Sequence, residues 1–336
     1  VRDPLCTAPL TGEQIEQARD LADRAARGER RAIARAISLI EDGDSRAAEV
    51  VRLLYPRTGH AGLIGLTGPP GVGKSTLLSG LIRVCRGRDL SVGVVSVDPS
   101  SPFTHGAVLG DRIRLNEHFL DPEVFIRSMG TRGHLGGLSE TALQAALVLD
   151  AAGKDIVFLE TVGVGQSEVE VASIADTVVL ALMPGSGDSI QALKAGVMEI
   201  PDIIVVNKKD HPAADITLNE IRGVLALAER ERDWDPPLLA TNATTGEGVA
   251  ELWERIAEHQ HHLTDRGLLD QRRSRSLEKE VFALTVNELE RWLVRRSGSD
   301  PRLDAILQDV RERRLDPLSA VRAVLADVLG VAEECP

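Results

Sequence analysis

Two short stretches carry residue types at spacings suited to nucleotide chemistry. Gly68-Pro69-Pro70-Gly71-Val72-Gly73-Lys74-Ser75 fits G-x-x-x-x-G-K-[ST], in which main-chain N–H groups converge on an anion at a helix start. Gly68, Gly71 and Gly73 let the backbone approach where a Cβ would intrude. Lys74 is placed to reach the β- and γ-phosphates, and the Ser75 hydroxyl to meet Mg²⁺, with Thr76 following at the helix start. Asn207-Lys208-Lys209-Asp210 fits N-K-x-D. The Asp210 carboxylate can accept from the N1–H and exocyclic amine of guanine. Adenine offers no matching pair and would leave that charge unpaired. Asn207 and the Lys208 stem would tie loop and base together, and Asn242, Ala243 and Thr244 sit where a second loop would touch the base. In this order, the motifs imply a chain that binds GTP and hydrolyses it to GDP.

Hard oxygen ligands are expected near the γ-phosphate. Asp98 ends one apolar run, Asp111 follows in Leu-Gly-Asp, and Glu160 opens Glu-Thr-Val-Gly, which resembles the D-x-x-G of GTPases with glutamate first. Each of these carboxylates also has a plain reading as a strand-end or capping residue. Only six of 39 basic residues are lysine, and three of those fall inside the two motifs. Lysine is therefore used here where a compact, flexible charge is needed. That singles out Lys194, in the glycine-rich stretch Met183-Pro-Gly-Ser-Gly-Asp, which then turns helical and suits a segment that senses the nucleotide. His259, His261 and His262 could ligate a metal, but with no cysteine nearby a helix C-terminus, whose dipole favours cations, is the simpler reading. No serine or cysteine triad is evident.

These residues need a scaffold of alternating strands and helices. Apolar runs predict strands at 63–67, 91–97, 124–127, 155–160, 177–182, 203–206 and 238–240. Helical spacing predicts two or three helices within 11–55, then helices at about 74–86, 140–152, 215–229 and 248–262. The pattern implies an α/β fold with a mostly parallel sheet covered on both faces. Beyond about 268 come charged helices without strands, at 272–296, 300–313 and 317–329. The expected division is an N-terminal helical extension (1–58), a nucleotide domain (59–264) and a helical arm (265–336). A net charge of −12 argues against general nucleic-acid binding. Three scattered cysteines, no apolar run long enough to span a bilayer and no secretory pattern at the start lead to the expectation of a cytoplasmic protein.

Taken together, residues 68–76, 97–102, 109–111, 160–168, 184–188 and 207–210 closely resemble the MeaB family, over roughly 12–330. These GTPases chaperone adenosylcobalamin-dependent acyl-CoA mutases, chiefly methylmalonyl-CoA mutase, and carry the older labels ArgK or LAO/AO transport kinase. The resemblance implies a P-loop NTPase of the SIMIBI-type G-domain class, a homodimer held by the C-terminal helices, and GTP hydrolysis that gates cofactor delivery to the mutase. It implies that Asp98, Asp111 and Glu160 are the Mg²⁺ and switch carboxylates and that Lys194 belongs to a further switch responding to the partner. Slow hydrolysis alone and faster hydrolysis with the mutase would follow. The sequence departs at His105, where a second glycine is common, and at Thr241-Asn242-Ala243, a loose version of the usual Ser-Ala. Two other readings compete with this one. An ATP-dependent kinase is opposed by Asp210, and a nickel-insertion GTPase needs a Cys/His site that these residues do not assemble.

Overall fold

The computed structural model describes residues 10–98, 115–130, 138–161, 174–185, 201–227, 233–328 and 330. The chain forms two compact units, one of residues 9–280 and one built from 281–336.

In the first unit, seven strands form a sheet in the order β3-β2-β4-β1-β5-β6-β7. They are β1 (Gly62–Thr67), β2 (Val92–Asp98), β3 (Val124–Gly130), β4 (Ile156–Thr161), β5 (Thr177–Leu182), β6 (Ile203–Val206) and β7 (Leu238–Ala240). Every pairing is parallel. The residues of β4, β5 and β6 are all buried, as continuous apolar runs covered on both faces require. The strand order reverses at β1: the chain goes first to β2, β3 and β4 on one side, then to β5, β6 and β7 on the other. Ligands of open α/β sheets bind beyond the strand C-termini at such a point.

Helices α1 (Gly12–Ala26), α2 (Arg30–Glu41) and α3 (Ala47–Leu54) bury small and branched residues such as Ala22, Ile33, Ile37 and Val50. They share one core with α5 (Leu138–Ala151) and with Val95, Phe125 and Val157 of the sheet. Thr11 opens α1 with a reciprocal cap: its hydroxyl accepts from the N–H of Gln14, whose side chain accepts from the N–H of Thr11. The other sheet face is covered by α4 (Lys74–Arg86) and α7 (Val249–Asp265) around Leu77, Leu81, Phe158 and Trp253, while α6 (Ala214–Leu227) covers β6 and β7.

The long helix α8 (Leu268–Arg296) begins in this unit. Arg272 makes a two-pronged pair with Asp202, at 2.9 and 2.8 Å. Arg273 does the same with Asp176, at 2.9 and 2.5 Å, and donates to the carbonyls of Gly59 and Ala61. In the second unit, the end of α8, α9 (Pro301–Arg311) and α10 (Pro317–Ala323) surround an apolar cavity of about 570 Å³ lined by Leu289, Leu293, Leu303, Ile306 and Val310 among others. Asp300 and Asp316 cap α9 and α10, each followed by proline. Predicted and observed elements agree in kind; β3 runs three residues further than expected, and α10 ends at Ala323 and passes into a π turn. No helix among the described residues is long and apolar enough to cross a membrane.

Candidate nucleotide site

The loop after β1 and the turns after β6 and β7 meet at the C-terminal edge of the sheet, beside the end of β4. Two glycines of the first loop are forced by geometry. At Gly68, φ is +140° and a Cβ would lie 2.0 Å from the carbonyl oxygen of Ala181 in β5. At Gly73, φ is +95° and a Cβ would come within 2.7 Å of Asn207 Nδ2. Gly73 also starts α4 without a side-chain cap, so the first N–H groups of that helix are left to an anion. Val72 is buried, while Pro70, Gly71 and Thr76 are exposed. The Lys74 ammonium, 6% exposed, donates to the carbonyls of Gly68 at 2.5 Å and Pro69 at 3.1 Å, which holds it against its own loop.

Ser75 Oγ donates to Glu160 Oε1 at 2.7 Å. The other oxygen of that carboxylate accepts from Ser96 Oγ at 3.0 Å, and all three residues are buried. The register explains the meeting, since Ser96 in β2 lies opposite Glu160 in β4. Asp98 ends β2 two residues later, opposite Gly130 of β3. Its side chain is outside the described residues, as are Asp111 and Lys194. The hydroxyl and carboxylate oxygens of Ser75 and Glu160 are the hard donors that Mg²⁺ takes, so these residues fit that ion.

The second motif is tied to the first by side chains. Asn207, 2% exposed, donates through Nδ2 to the Val72 carbonyl at 2.8 Å. Its Oδ1 accepts from the N–H of Ala243 at 3.0 Å and the hydroxyl of Thr241 at 3.1 Å. Lys208, in the left-handed region at φ +59°, donates to the Gly71 carbonyl at 2.9 Å. Asp210 is exposed and accepts from Asn242 Nδ2 at 2.9 Å. Asn242 is itself fixed, because its Oδ1 accepts from the N–H groups of Thr244 and Thr245 at 3.1 and 3.3 Å. Asn242 thus bears on the Asp210 carboxylate, Ala243 on Asn207, and Thr244 holds the turn. Asn207 is the hinge pin of the arrangement.

Sequence reasoning missed Ser96, and it placed Thr241 in the base-contacting segment without the bond to Asn207 that its hydroxyl makes. Ser96 carried a signal, a lone hydroxyl in the apolar run before Asp98. Of the three histidines, His262 lies in the last turn of α7, as the helix-end reading expects, whereas His259 is buried. His259 is 1% exposed at the opposite edge of the sheet, sharing a 2.9 Å hydrogen bond with Thr177 Oγ1, with its ring centre 4.9 Å from that of Trp234 and tilted to it by 59°. Burial pushes its pKa down to about 4, so it is neutral. His262 packs on Trp234, and exposed His261 pairs with Asp265. Among the described residues no group of three or more His, Cys, Asp or Glu is arranged to hold a metal ion.

Comparison with known proteins agrees with this geometry. The family model described as methylmalonyl Co-A mutase-associated GTPase MeaB matches residues 33–297. A Pyrococcus horikoshii protein named as a GTPase is 48% identical over 93% of this chain and 98% of its own length. GTPase ArgK of Escherichia coli is 35% identical over 89% of this chain and 93% of its own. A crystal structure titled LAO/AO transport system kinase superposes with a TM-score of 0.70 at 27% identity, covering 96% of this chain and all of that one. The chain belongs to the MeaB family and is a P-loop GTPase.

Proposed function

We propose that this GTPase binds Mg²⁺·GTP across the two loops and uses its hydrolysis to gate delivery of adenosylcobalamin to an acyl-CoA mutase, methylmalonyl-CoA mutase or a close relative. The observation that carries the nucleotide half is the Asn207 tether, which joins the phosphate loop at Val72 to the base-contacting turn at Ala243. In this reading the N–H groups at the start of α4 and the Lys74 ammonium hold the β- and γ-phosphates. The Asp210 carboxylate, steadied by Asn242, accepts from the guanine edge. Ser75, Asp98, Asp111 and Glu160 hold Mg²⁺, which would neutralise charge developing between the β- and γ-phosphates. Glu160, kept in place by Ser75 and Ser96, also orients the attacking water.

The mutase half is supported by the matching family's description. The functional division is N-terminal helices (1–58), nucleotide domain (59–264) and arm (265–336), in which Lys194 lies in a switch that answers to the partner. The arm pairs two copies of the chain in the cytoplasm. The apolar cavity of the second unit and the exposed Phe282 and Val286 of α8 support that pairing.

The test is steady-state hydrolysis with GTP and with ATP, alone and with a cobalamin-loaded acyl-CoA mutase. Lys74→Ala should abolish turnover, Asp210→Ala should erase guanine preference, and the mutase should raise the wild-type rate. Equal use of ATP and GTP would refute the base assignment, and an unmoved rate across cobalamin mutases would refute the partner.

A further inference from the structure

Ser79 lies one turn beyond Ser75 on α4, so helical spacing sets both on one face. Both are buried, at 3% and 7% exposure. The Ser75 hydroxyl meets Glu160. The Ser79 hydroxyl meets the carboxylate of Glu117 and Nε2 of His118, the latter at 2.9 Å. None of these three belongs to a nucleotide motif. The contacts continue down the same face, where Arg83 Nε is 3.3 Å from Glu117 and Arg86 Nε donates to Asp121 at 2.8 Å. Glu117, His118 and Asp121 therefore form a polar seam along α4. It is buried at Ser79 and more open beyond, with Arg83 56% exposed.

Proton inventory gives the seam a direction. The Ser79 hydrogen bond, helped by Arg83, holds the Glu117 carboxyl below its ordinary pKa, so it is ionised and can only accept. Ser79 has one proton and gives it to Glu117. Its lone pairs then accept from His118, which must carry hydrogen on Nε2. Burial holds His118 below its ordinary value, leaving the neutral Nε2–H ring. The result is a chain of donors, His118 to Ser79 to Glu117. The turn that bears it is also fixed by packing: Leu115 is buried in one core with Leu77, Leu78 and Leu81 of α4, and the His118 N–H donates to the Leu115 carbonyl at 3.0 Å.

We infer that Ser79, with Glu117 and His118 as its partners, is a positioning residue for GTP hydrolysis: it sets the rotation of α4 about its axis, and so the aim of the Ser75 hydroxyl one turn nearer the phosphate loop. At the helix start the cap, Gly73, has no side chain, and Lys74 bonds to carbonyls of its own loop, so a tether one turn further along α4 adds a second fixed point. The apolar contacts of Leu77 and Leu81 are non-directional. With the serine oxygen roughly 4 Å from the axis, a turn of about 15° moves it about 1 Å. A misplacement of that size can cost about 100-fold in rate. The inference rests on the reading of Ser75 given above.

The experiment compares Ser79→Ala, Ser79→Thr, His118→Gln and Ser75→Ala in the full chain. It measures kcat and KM for GTP, the Kd for GDP with magnesium chelated, and the thermal midpoint. Ser79→Ala should lose about tenfold or more in kcat, with KM and the magnesium-free GDP Kd within about twofold. Ser79→Thr, which keeps the hydroxyl, and His118→Gln, which keeps a donor at the Nε2 position, should recover most of kcat. Wild-type kcat per folded molecule in Ser79→Ala, whatever its thermal midpoint, overturns the inference, as does equal loss in Ser79→Thr. If Ser79→Ala does not fold, His118→Phe must show the same kcat loss, and unchanged kcat there overturns it. Full turnover in Ser75→Ala would instead sink the reading of Ser75, whereas an inactive Ser75→Ala beside a fully active Ser79→Ala sinks this inference alone.

Discussion

Replacing Asn207 by alanine should unlock both nucleotide loops at once. Its amide makes three hydrogen bonds in a setting 2% exposed: to the Val72 carbonyl, from the Ala243 N–H and from the Thr241 hydroxyl. The hydroxyl can rotate to another acceptor. The Val72 carbonyl and the Ala243 N–H are main-chain groups that cannot, and Val72 and Ala243 are themselves buried. Two stranded groups at about 1–3 kcal/mol each give a loss of about 2–6 kcal/mol. That is a large share of a typical total of about 5–15 kcal/mol. Asn207→Asp should do no better, since a carboxylate can accept from Ala243 but cannot donate to Val72. The assay is urea denaturation at equilibrium, paired with GDP affinity measured well below the unfolding transition. The expected result is a lower midpoint at unchanged slope, with GDP affinity weakened about tenfold or more because the phosphate loop has lost its brace. A stability loss below about 1 kcal/mol together with wild-type GDP affinity would refute the reasoning.

Arg273→Ala should cost about 3–5 kcal/mol in urea, because it leaves Asp176, whose side chain is 2% exposed, as an uncompensated buried charge. Arg273→Lys should recover only part of this, since an ammonium cannot match the fork that spans both Asp176 oxygens. Stability should also rise with pH between about 4 and 6.5, because across that window the unfolded chain binds a proton at His259 that the folded chain, with its pKa near 4, does not. The groups facing this ring are Asp202, Arg272, His262 and Asp176. The contribution is complete above 6.5, falls away by up to about 3 kcal/mol as pH drops through 4, and should vanish from melts of His259→Gln.

The strands and both nucleotide loops were legible because each announces itself locally. Runs such as Ile-Ile-Val-Val before Asn207 need only a few residues to be read, and so does the glycine spacing of the phosphate loop. What escaped depends on register or on distance along the chain. Ser96 meets Glu160 only because β2 and β4 pair in one particular register, which the sequence does not state. Arg272 and Arg273 lie 70 and 97 residues from the aspartates they grip, and no local pattern links them. His259 was legible but misread as a helix-end neighbour of His261 and His262. Leu252, Ile256, His259 and Leu263 keep helical spacing and form the buried stripe of α7, so periodicity assigned His259 to the core.

The two edges of the sheet divide the work between them, and the same strands serve both. At the C-terminal edge, β1, β5 and β6 lead into the phosphate loop, the turn at Met183-Pro184-Gly185 and the N-K-x-D motif. At the other edge, Asp176 precedes β5 and accepts from the Leu63 N–H of β1, and Asp202 precedes β6 and accepts from the Val178 N–H of β5. Each aspartate is then gripped by an adjacent arginine of the first turns of α8. Buried ion pairs add little net stability over apolar packing of the same volume, so stability alone does not account for two of them side by side. Their directionality does. A two-pronged arginine fixes orientation as well as distance, and here it fixes the first turns of α8, within the first unit, against the strands that end at the nucleotide.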